Sequence, residues 1–371
     1  MQRHEEVFFS LLRNALWDTQ AEVPVDFNDW GLVMRLAKCQ AMEGAVAKAL
    51  LDSPDILDRM KPESRPRLSN MLLTNVVMHS MANSAVQVVV EALRKAGVAC
   101  VLLKGQGVAT YYHHPEIRDC GDIDLYVGEE DYHRSYEALK ESVDTIDDKS
   151  RLDGKGKHYH AQLSGISIEI HKFSDELSSS SDNQVYQRYA SEGLSRNLVE
   201  LDFGEVKVMT PADDFNAFYI FSHLWNHFIS IGVGIRQICD LTMLLHVRGA
   251  DVDKEYLRQV LSNMMLMGPW KTFGCIAVDV LGLPEDEFPF YDSKCAKTAM
   301  KVLERIISEG DMGRETEFIR IHDKGYLYEK FFSFRFHVKR FFALSALFPQ
   351  HAFKQLWFAV SGGIRRMFAQ Y

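Results

Sequence analysis

The sequence predicts an α+β fold, with a small mixed sheet flanked by N- and C-terminal helical regions. Three observations carry this. Residues 98–127 read as strand, glycine turn, helix and strand. Residues 158–171 read as a hairpin of two strands around Ser164-Gly165. On either side, apolar residues recur at helical spacing. The divisions that follow are a helical region over 1–95, a core over 96–210 and a helical domain over 211–371.

In the N-terminal region, Val7, Phe8, Phe9, Leu11, Leu12 and Leu16 share a helical face. Asp26 is expected to cap a helix that holds Asp29 in its first turn and runs through Leu36. Another helix is expected from Ala45 to Leu51, with a break at Asp52-Ser53-Pro54. Residues 68–95 form one long periodic run closed by Gly97, and Met71, Met78 and Met81 within it read as core residues.

The core opens with the apolar run Val98–Leu103, a buried strand. Lys104-Gly105 then turns the chain into a helix that holds Val108, Ala109, Tyr111 and Tyr112. A glycine turn ahead of a helix aims backbone N–H groups outward, a ready site for an anion. Lys104 and Arg118 would add positive charge beside it. In the next strand, Asp122 and Asp124 share one face while Ile123, Leu125 and Val127 share the other. Two carboxylates one pleat apart repel, and a cation between them relieves the repulsion. Oxygen donors of this kind suit Mg²⁺ (or Mn²⁺).

After a helix from Glu129 to about Ser142, residues 144–157 read as a charged surface loop. The strand from Ile166 to His171 repeats the earlier alternation: Ile166, Ile168 and Ile170 inward, Ser167, Glu169 and His171 outward. Glu169 is the candidate third carboxylate. His171 could hydrogen-bond a phosphate or orient an acid. The stretch from Ser174 to Asn197 is polar, with a flexible loop expected at Ser178–Ser181. A short strand follows at Val206–Met209, and Thr210-Pro211 reads as the cap and first position of the next helix. That helix carries His223 and His227 on one face, and the helix after it carries Arg236 and Asp240. Further helical patterns cover 254–267, 271–281 and 294–308. Beyond Glu329 no acidic residue occurs; Lys330, Arg335, Lys339, Arg340, Lys354, Arg365 and Arg366 lie among phenylalanines. This end is expected to pack helix on helix with a basic rim, the alternative being weak contact with a membrane surface or an acidic partner.

Composition bounds the function. The 371 residues can bury a sizeable core, and 47% hydrophobic with 25% charged residues is typical of a globular protein. A net charge of -9 opposes coating nucleic acid through bulk charge. The six cysteines are scattered with no Cys-x-x-Cys pair, which opposes a zinc or disulfide framework. With no signal-peptide pattern and no transmembrane segment expected, a cytoplasmic protein is the expectation.

The order Leu-Leu-Lys104-Gly105, then Arg118-x-x-Gly121-Asp122-Ile-Asp124-Leu, then Ile-Glu169-Ile-His171 resembles the DNA polymerase beta-like nucleotidyltransferase superfamily. More narrowly, it is similar to a bacterial branch known only as uncharacterised nucleotidyltransferases. The resemblance covers Val98 to His171 and runs more loosely to Leu245. It departs from the wider superfamily at the turn, Lys104-Gly105-Gln106 in place of Gly-Ser or Gly-Gly, and in a longer gap from Gly105 to Asp122. The resemblance implies transfer of a nucleoside monophosphate from an NTP, ATP among them, to an acceptor hydroxyl, with pyrophosphate released. Asp122, Asp124 and Glu169 would be the catalytic, metal-holding carboxylates. Lys104, Gly105, Arg118, Gly121 and His171 would lie at the nucleotide, and His223, His227, Arg236 and Asp240 would close over it. The acceptor is unknown, a small molecule being favoured over RNA or protein. Two other readings stand beside this one: a catalytically silent nucleotide-binding or scaffold protein, and a phosphohydrolase built on His223, His227 and Asp240 around a metal. No His-Glu-x-x-His pattern is present, which opposes a metalloprotease.

Overall fold

A computed structural model describes residues 1–152, 156–177, 179–311 and 326–368. The N-terminal quarter is helical: α1 (Arg3–Trp17), α2 (Trp30–Cys39), α3 (Glu43–Leu51), the single turn α4 (Pro54–Leu57) and the long α5 (Ser64–Lys95). Helix α2 begins later than expected. Asp29 stands at its N-cap position, and Asp26 lies in the turn 24–27, where it pairs with Arg3 instead of capping.

The sheet segments follow with their helices: β1 (Val101–Leu103), α6 (Gly105–Ala109), β2 (Ile123–Tyr126), α7 (Gly128–Leu139), β3 (Thr145–Ile146), β4 (His158–Leu163), β5 (Ile166–His171), α8 (Ser180–Gly193), β6 (Val199–Phe203) and β7 (Val206–Thr210). Among the described residues they make one mixed sheet of seven strands in the order β3-β4-β5-β2-β1-β7-β6. The α+β class holds, but the sheet is larger than the small one expected. Its extra members are the short edge strands β3 and β6. Strand β3 lies inside the expected loop 144–157, of which residues 153–155 are outside the described residues.

Two further expectations change. The polar stretch after Ser174 contains helix α8, capped by the Ser179 hydroxyl accepting from the Asp182 N–H. Tyr186 and Ala190, one turn apart, bury its inner face. Ser178 lies outside the described residues. Thr210 ends β7 rather than capping the next helix, because its hydroxyl donates to the Val199 carbonyl across the β6–β7 hairpin.

The remainder is helical: α9 (Asp213–Ser230), α10 (Ile235–Arg248), α11 (Lys254–Asn263), α12 (Met267–Cys275), α13 (Ala296–Glu309), α14 (Tyr326–Ser345) and α15 (Pro349–Phe368). The basic C-terminal end is not all rim. Arg340 is buried, paired with Glu309 at 2.8 Å and donating to the Ile229 carbonyl. The side chains of Lys330, Arg365 and Arg366 are outside those described.

The branched residues of the central strands face one way. Ile123, Leu125, Ile168 and Ile170 pack with Val86, Val89 and Leu93 of α5 and with Tyr132 and Tyr136 of α7. Burying such side chains contributes roughly 1.5–3 kcal/mol each and fixes which face of the sheet is left for polar residues. Among the described residues α5 alone has the length and apolar composition of a membrane-crossing helix. In this fold it is a support of the sheet, with Gln87 on its polar side donating to the Phe203 carbonyl. The second apolar cluster joins α1 and α3 to α9, α10 and α12 on the other side of the molecule.

Candidate active site

Strands β2 and β5 run parallel, with Asp124 beside Glu169 in register. Asp122 immediately precedes β2 and shares a face with Asp124. The alternation that buries Ile123 and Leu125 therefore turns three acids to the opposite face. One carboxylate oxygen from each of Asp122, Asp124 and Glu169 lies within 4.8 Å of the others. They differ in setting: Asp124 is buried, Glu169 partly buried and Asp122 exposed at the mouth.

Strand β1 ends at Leu103, paired with Asp124, and delivers Lys104 to the same face. Lys104 holds a left-handed backbone conformation (φ 48°, ψ -145°), rare for a residue with a side chain. It is followed by Gly105 at φ 42°, where an added Cβ would stand 3.2 Å from the Asp122 carbonyl oxygen. This kinked pair lets β1 turn sharply into α6 while the Lys104 ammonium reaches the Asp124 carboxylate at 3.2 Å. Helix α6 is shorter than expected, so Tyr111 and Tyr112 lie beyond its end.

The charges divide unequally. Repulsion from Asp124, with burial adding to it, raises the Asp122 carboxyl above its ordinary value. Burial pushes Asp124 up as well, but Lys104 and His171 outweigh it and hold that carboxyl well below the usual range. For Lys104, burial favours the neutral amine, yet Asp124 and Asp122 prevail and its value is raised. His171 Nε2 lies 2.9 Å from Asp124 and 3.3 Å from Glu169. Burial disfavours its charge, and these two acids overcome that and raise its value. Of its two expected roles, the orienting one has the contacts. Glu169 is held low by His171 and His158 against the pull of burial.

Lys104, Gly105, Arg118, Gly121, Asp122, Asp124, His223, Arg236 and Asp240 line one cavity of about 60 Å³. Arg118, expected to grip phosphate, is buried and forked onto Asp240, with Nε to Oδ1 2.7 Å and Nη2 to Oδ2 2.9 Å. Tyr112 donates to the same Asp240 carboxylate at 2.8 Å. Arg236 donates to the Asp119 carbonyl at 3.0 Å and reaches Asp311. The His223 and His227 rings meet edge to face, with centroids 4.4 Å apart. Burial, then the Lys104 charge, lowers both: His223 well below its ordinary value and His227 to about 4. Asp240 is committed to Arg118, and among the described residues His223, His227 and Asp240 do not form a group close enough to share a metal. The phosphohydrolase arrangement is therefore not built.

A second cleft of about 280 Å³ adjoins the first through His223. Its lining includes Lys157, Asp175, Asn226, His227 and Lys354. The small cavity at the carboxylates and this cleft share the His223 side chain in their linings. Reading the sequence alone missed Lys157 and Asp175, paired at 3.0 Å, and also His158 and His160, whose Nδ1 atoms lie 3.4 and 3.6 Å from Glu169. The alternation His158-Tyr159-His160 was the available signal: across the hairpin, His158 stands opposite His171 and His160 opposite Glu169.

Three carboxylates thus converge from two neighbouring strands beside a lysine-glycine turn, in a mixed sheet amid helices. The chain belongs to the family described as uncharacterised nucleotidyltransferase, whose family model matches residues 26–269. The match takes in α2 through the first residues of α12, and so the whole sheet and every candidate site residue. No curated protein and no solved structure matches the chain.

Proposed function

We propose that the protein is a metal-dependent nucleotidyltransferase of the DNA polymerase beta-like type, moving a nucleoside monophosphate from an NTP to an acceptor hydroxyl and releasing pyrophosphate. The observation that carries the reading is the approach of Asp122, Asp124 and Glu169 to within 4.8 Å of one another. Their fit to a divalent ion rests on chemistry: three hard oxygen donors, one of them raised by its neighbour's charge, make a place that a cation relieves. Asp122, Asp124 and Glu169 would hold Mg²⁺ or Mn²⁺, which when bound neutralises charge on the attacking and leaving oxygens of an in-line displacement.

The chain's own residues supply positioning and charge. Lys104 stands where its ammonium can pass from Asp124 to a phosphate oxygen. His171 fixes the rotamers of Asp124 and Glu169, and so the spacing of the donors. Glu169, beside His158 and His160, would take the acceptor's proton. The neutral His223 marks the boundary between the carboxylates and the larger cleft, which suits a polar small-molecule acceptor. Arg118 acts through Asp240 and Tyr112 to hold the cavity wall rather than as a free phosphate clamp.

The test needs no known acceptor, because water can replace it slowly. α-labelled NTP incubated with the full chain and Mg²⁺ or Mn²⁺ should yield labelled NMP and pyrophosphate. Asp122→Asn and Glu169→Gln should each abolish that release. Release that survives both substitutions, or NTP binding with no release under any metal, would overturn the reading, the second outcome identifying a silent binding protein.

A further inference from the structure

A different group of metal-ligating side chains lies outside the carboxylate site. Helix α1 is capped at its C-terminal end by Asp18, which adopts a left-handed conformation (φ 50°) and presents its carboxylate to the turn at His113-His114. We propose that Asp18, His113 and His114 form a binding site for a divalent transition metal ion of the zinc class, separate from the catalytic carboxylates.

The geometry is the first support. One ligand atom from each residue lies within 4.8 Å of the other two. His113 Nδ1 is 3.2 Å from Asp18 Oδ2, and His114 Nε2 is 3.4 Å from Asp18 Oδ1. Two donors each about 2.0–2.1 Å from a tetrahedral ion stand roughly 3.3 Å apart. Direct imidazole–carboxylate hydrogen bonds in this protein are shorter, 2.9 Å for His171 with Asp124 and 2.6 Å for His246 with Glu287. The two Asp18 contacts are thus of the length expected of donors that share an ion.

The second support is what backs the ligands. The remaining ring nitrogen of His114, Nδ1, faces Glu116 Oε1 at 3.6 Å. A carboxylate behind a ligating imidazole fixes its tautomer and raises its basicity, the usual outer shell of a zinc histidine. The two rings stack at 4.9 Å, inclined by 22°, which restricts both. His113 is 70% exposed, so an ion can enter from water and keep a water ligand. Two imidazoles with one carboxylate suit Zn²⁺ far better than Mg²⁺, which prefers oxygen donors alone.

The position gives the site a consequence. From His114 the chain runs through the turn 115–117 into Arg118 and Asp119. The Asp119 carboxylate accepts from the N–H groups of Glu43 and Gly44 at the start of α3. An ion at Asp18 would tie the end of α1 to the same segment, a few residues before Asp122.

Calorimetric titration of the full-length protein with Zn²⁺ tests this, using wild type, His114→Gln, Asp18→Asn, Glu116→Gln and Asp122→Asn. One Zn²⁺ site should be lost in His114→Gln and in Asp18→Asn, weakened about 10-fold in Glu116→Gln, and unchanged in Asp122→Asn. Co²⁺ in its place should give a visible absorption that disappears in the same two variants. Far-UV circular dichroism and metal-free melting should not change, since these side chains are at the surface; if His114→Gln misfolds, Asp18→Asn decides. A number of Zn²⁺ sites unchanged from wild type in both ligand variants, no binding in wild type, or loss of this site in Asp122→Asn alone would overturn the proposal.

Discussion

Arg118 and Asp240 sit in the wall of the candidate site, joined across 122 positions of sequence. Both are nearly inaccessible, with 6% and 8% of their side chains exposed. Two charge-assisted hydrogen bonds join them, and Tyr112 adds a third to the same carboxylate. Arg118→Met removes the guanidinium and leaves the Asp240 carboxylate buried with one hydroxyl partner. Breaking a buried pair in this way costs about 3–5 kcal/mol. At a urea dependence near 3 kcal/mol per molar, the unfolding midpoint should fall by about 1 M or more. Replacing the whole unit, Arg118→Met with Asp240→Leu and Tyr112→Phe, removes the stranded charge and the stranded hydroxyl together. The triple variant should return to within about 1 kcal/mol of wild type, because apolar groups of similar volume can replace a buried pair at little cost. Equilibrium urea unfolding followed by circular dichroism reads both. An Arg118→Met midpoint close to wild type, or a triple variant no better than the single, would refute the assignment of Arg118 to the wall.

Two further predictions concern packing and pH. Gly44→Ala would place a Cβ 2.6 Å from the Ile117 carbonyl oxygen and in collision with the Asn75 side chain, so α3 must move away from the segment that leads to Arg118; a loss of about 1–3 kcal/mol is expected in thermal unfolding, and an unchanged melting temperature would contradict the close approach. Burial and the Lys104 charge lower the folded-state value of His227 to about 4, below the unfolded value near 6.5. The unfolded chain therefore binds the extra proton between those values, and stability falls as pH drops through that window, by up to about 3 kcal/mol from this residue. His227→Gln should flatten the acid side of a stability–pH curve; superimposable curves would count against a neutral buried His227.

The carboxylates were legible because the strand period is two. Once 122–126 and 166–171 were read as strands, burying Ile123, Leu125, Ile168 and Ile170 left Asp122, Asp124 and Glu169 no other face. The neighbours of those strands were not legible. No local pattern shows that β5 lies parallel to β2, or that β4 brings His158 and His160 to Glu169. The polar partners fail for the same reason: Arg118 read as a phosphate ligand because Asp240, which engages it, belongs to another element entirely. Short edge strands such as β3, two residues long, carry too little alternation to be seen. Helix α8 hid in a serine-rich stretch because Tyr186 and Ala190 bury its face while nearly every residue between them is polar.

The three acids share one space, yet they are not equivalent, and the difference bears on how the site would be filled. Asp124 is the deepest and the most strongly held, with Lys104 on one side and His171 on the other. Asp122 is exposed at the mouth, and its negative charge is the one its neighbours oppose. A cation arriving from water would meet Asp122 first and would gain most there, since it would relieve a repulsion already in place. Lys104 is then the group with competing demands. Its ammonium neutralises Asp124 in the buried interior, and a second source of positive charge at the carboxylates would free it to turn toward phosphate. Its strained backbone at φ 48° keeps that side chain at the junction of β1 and α6, where both destinations are in reach. The unusual turn Lys104-Gly105-Gln106 thus has a physical consequence: it sets a positive charge against the buried Asp124 carboxylate at the junction of β1 and α6.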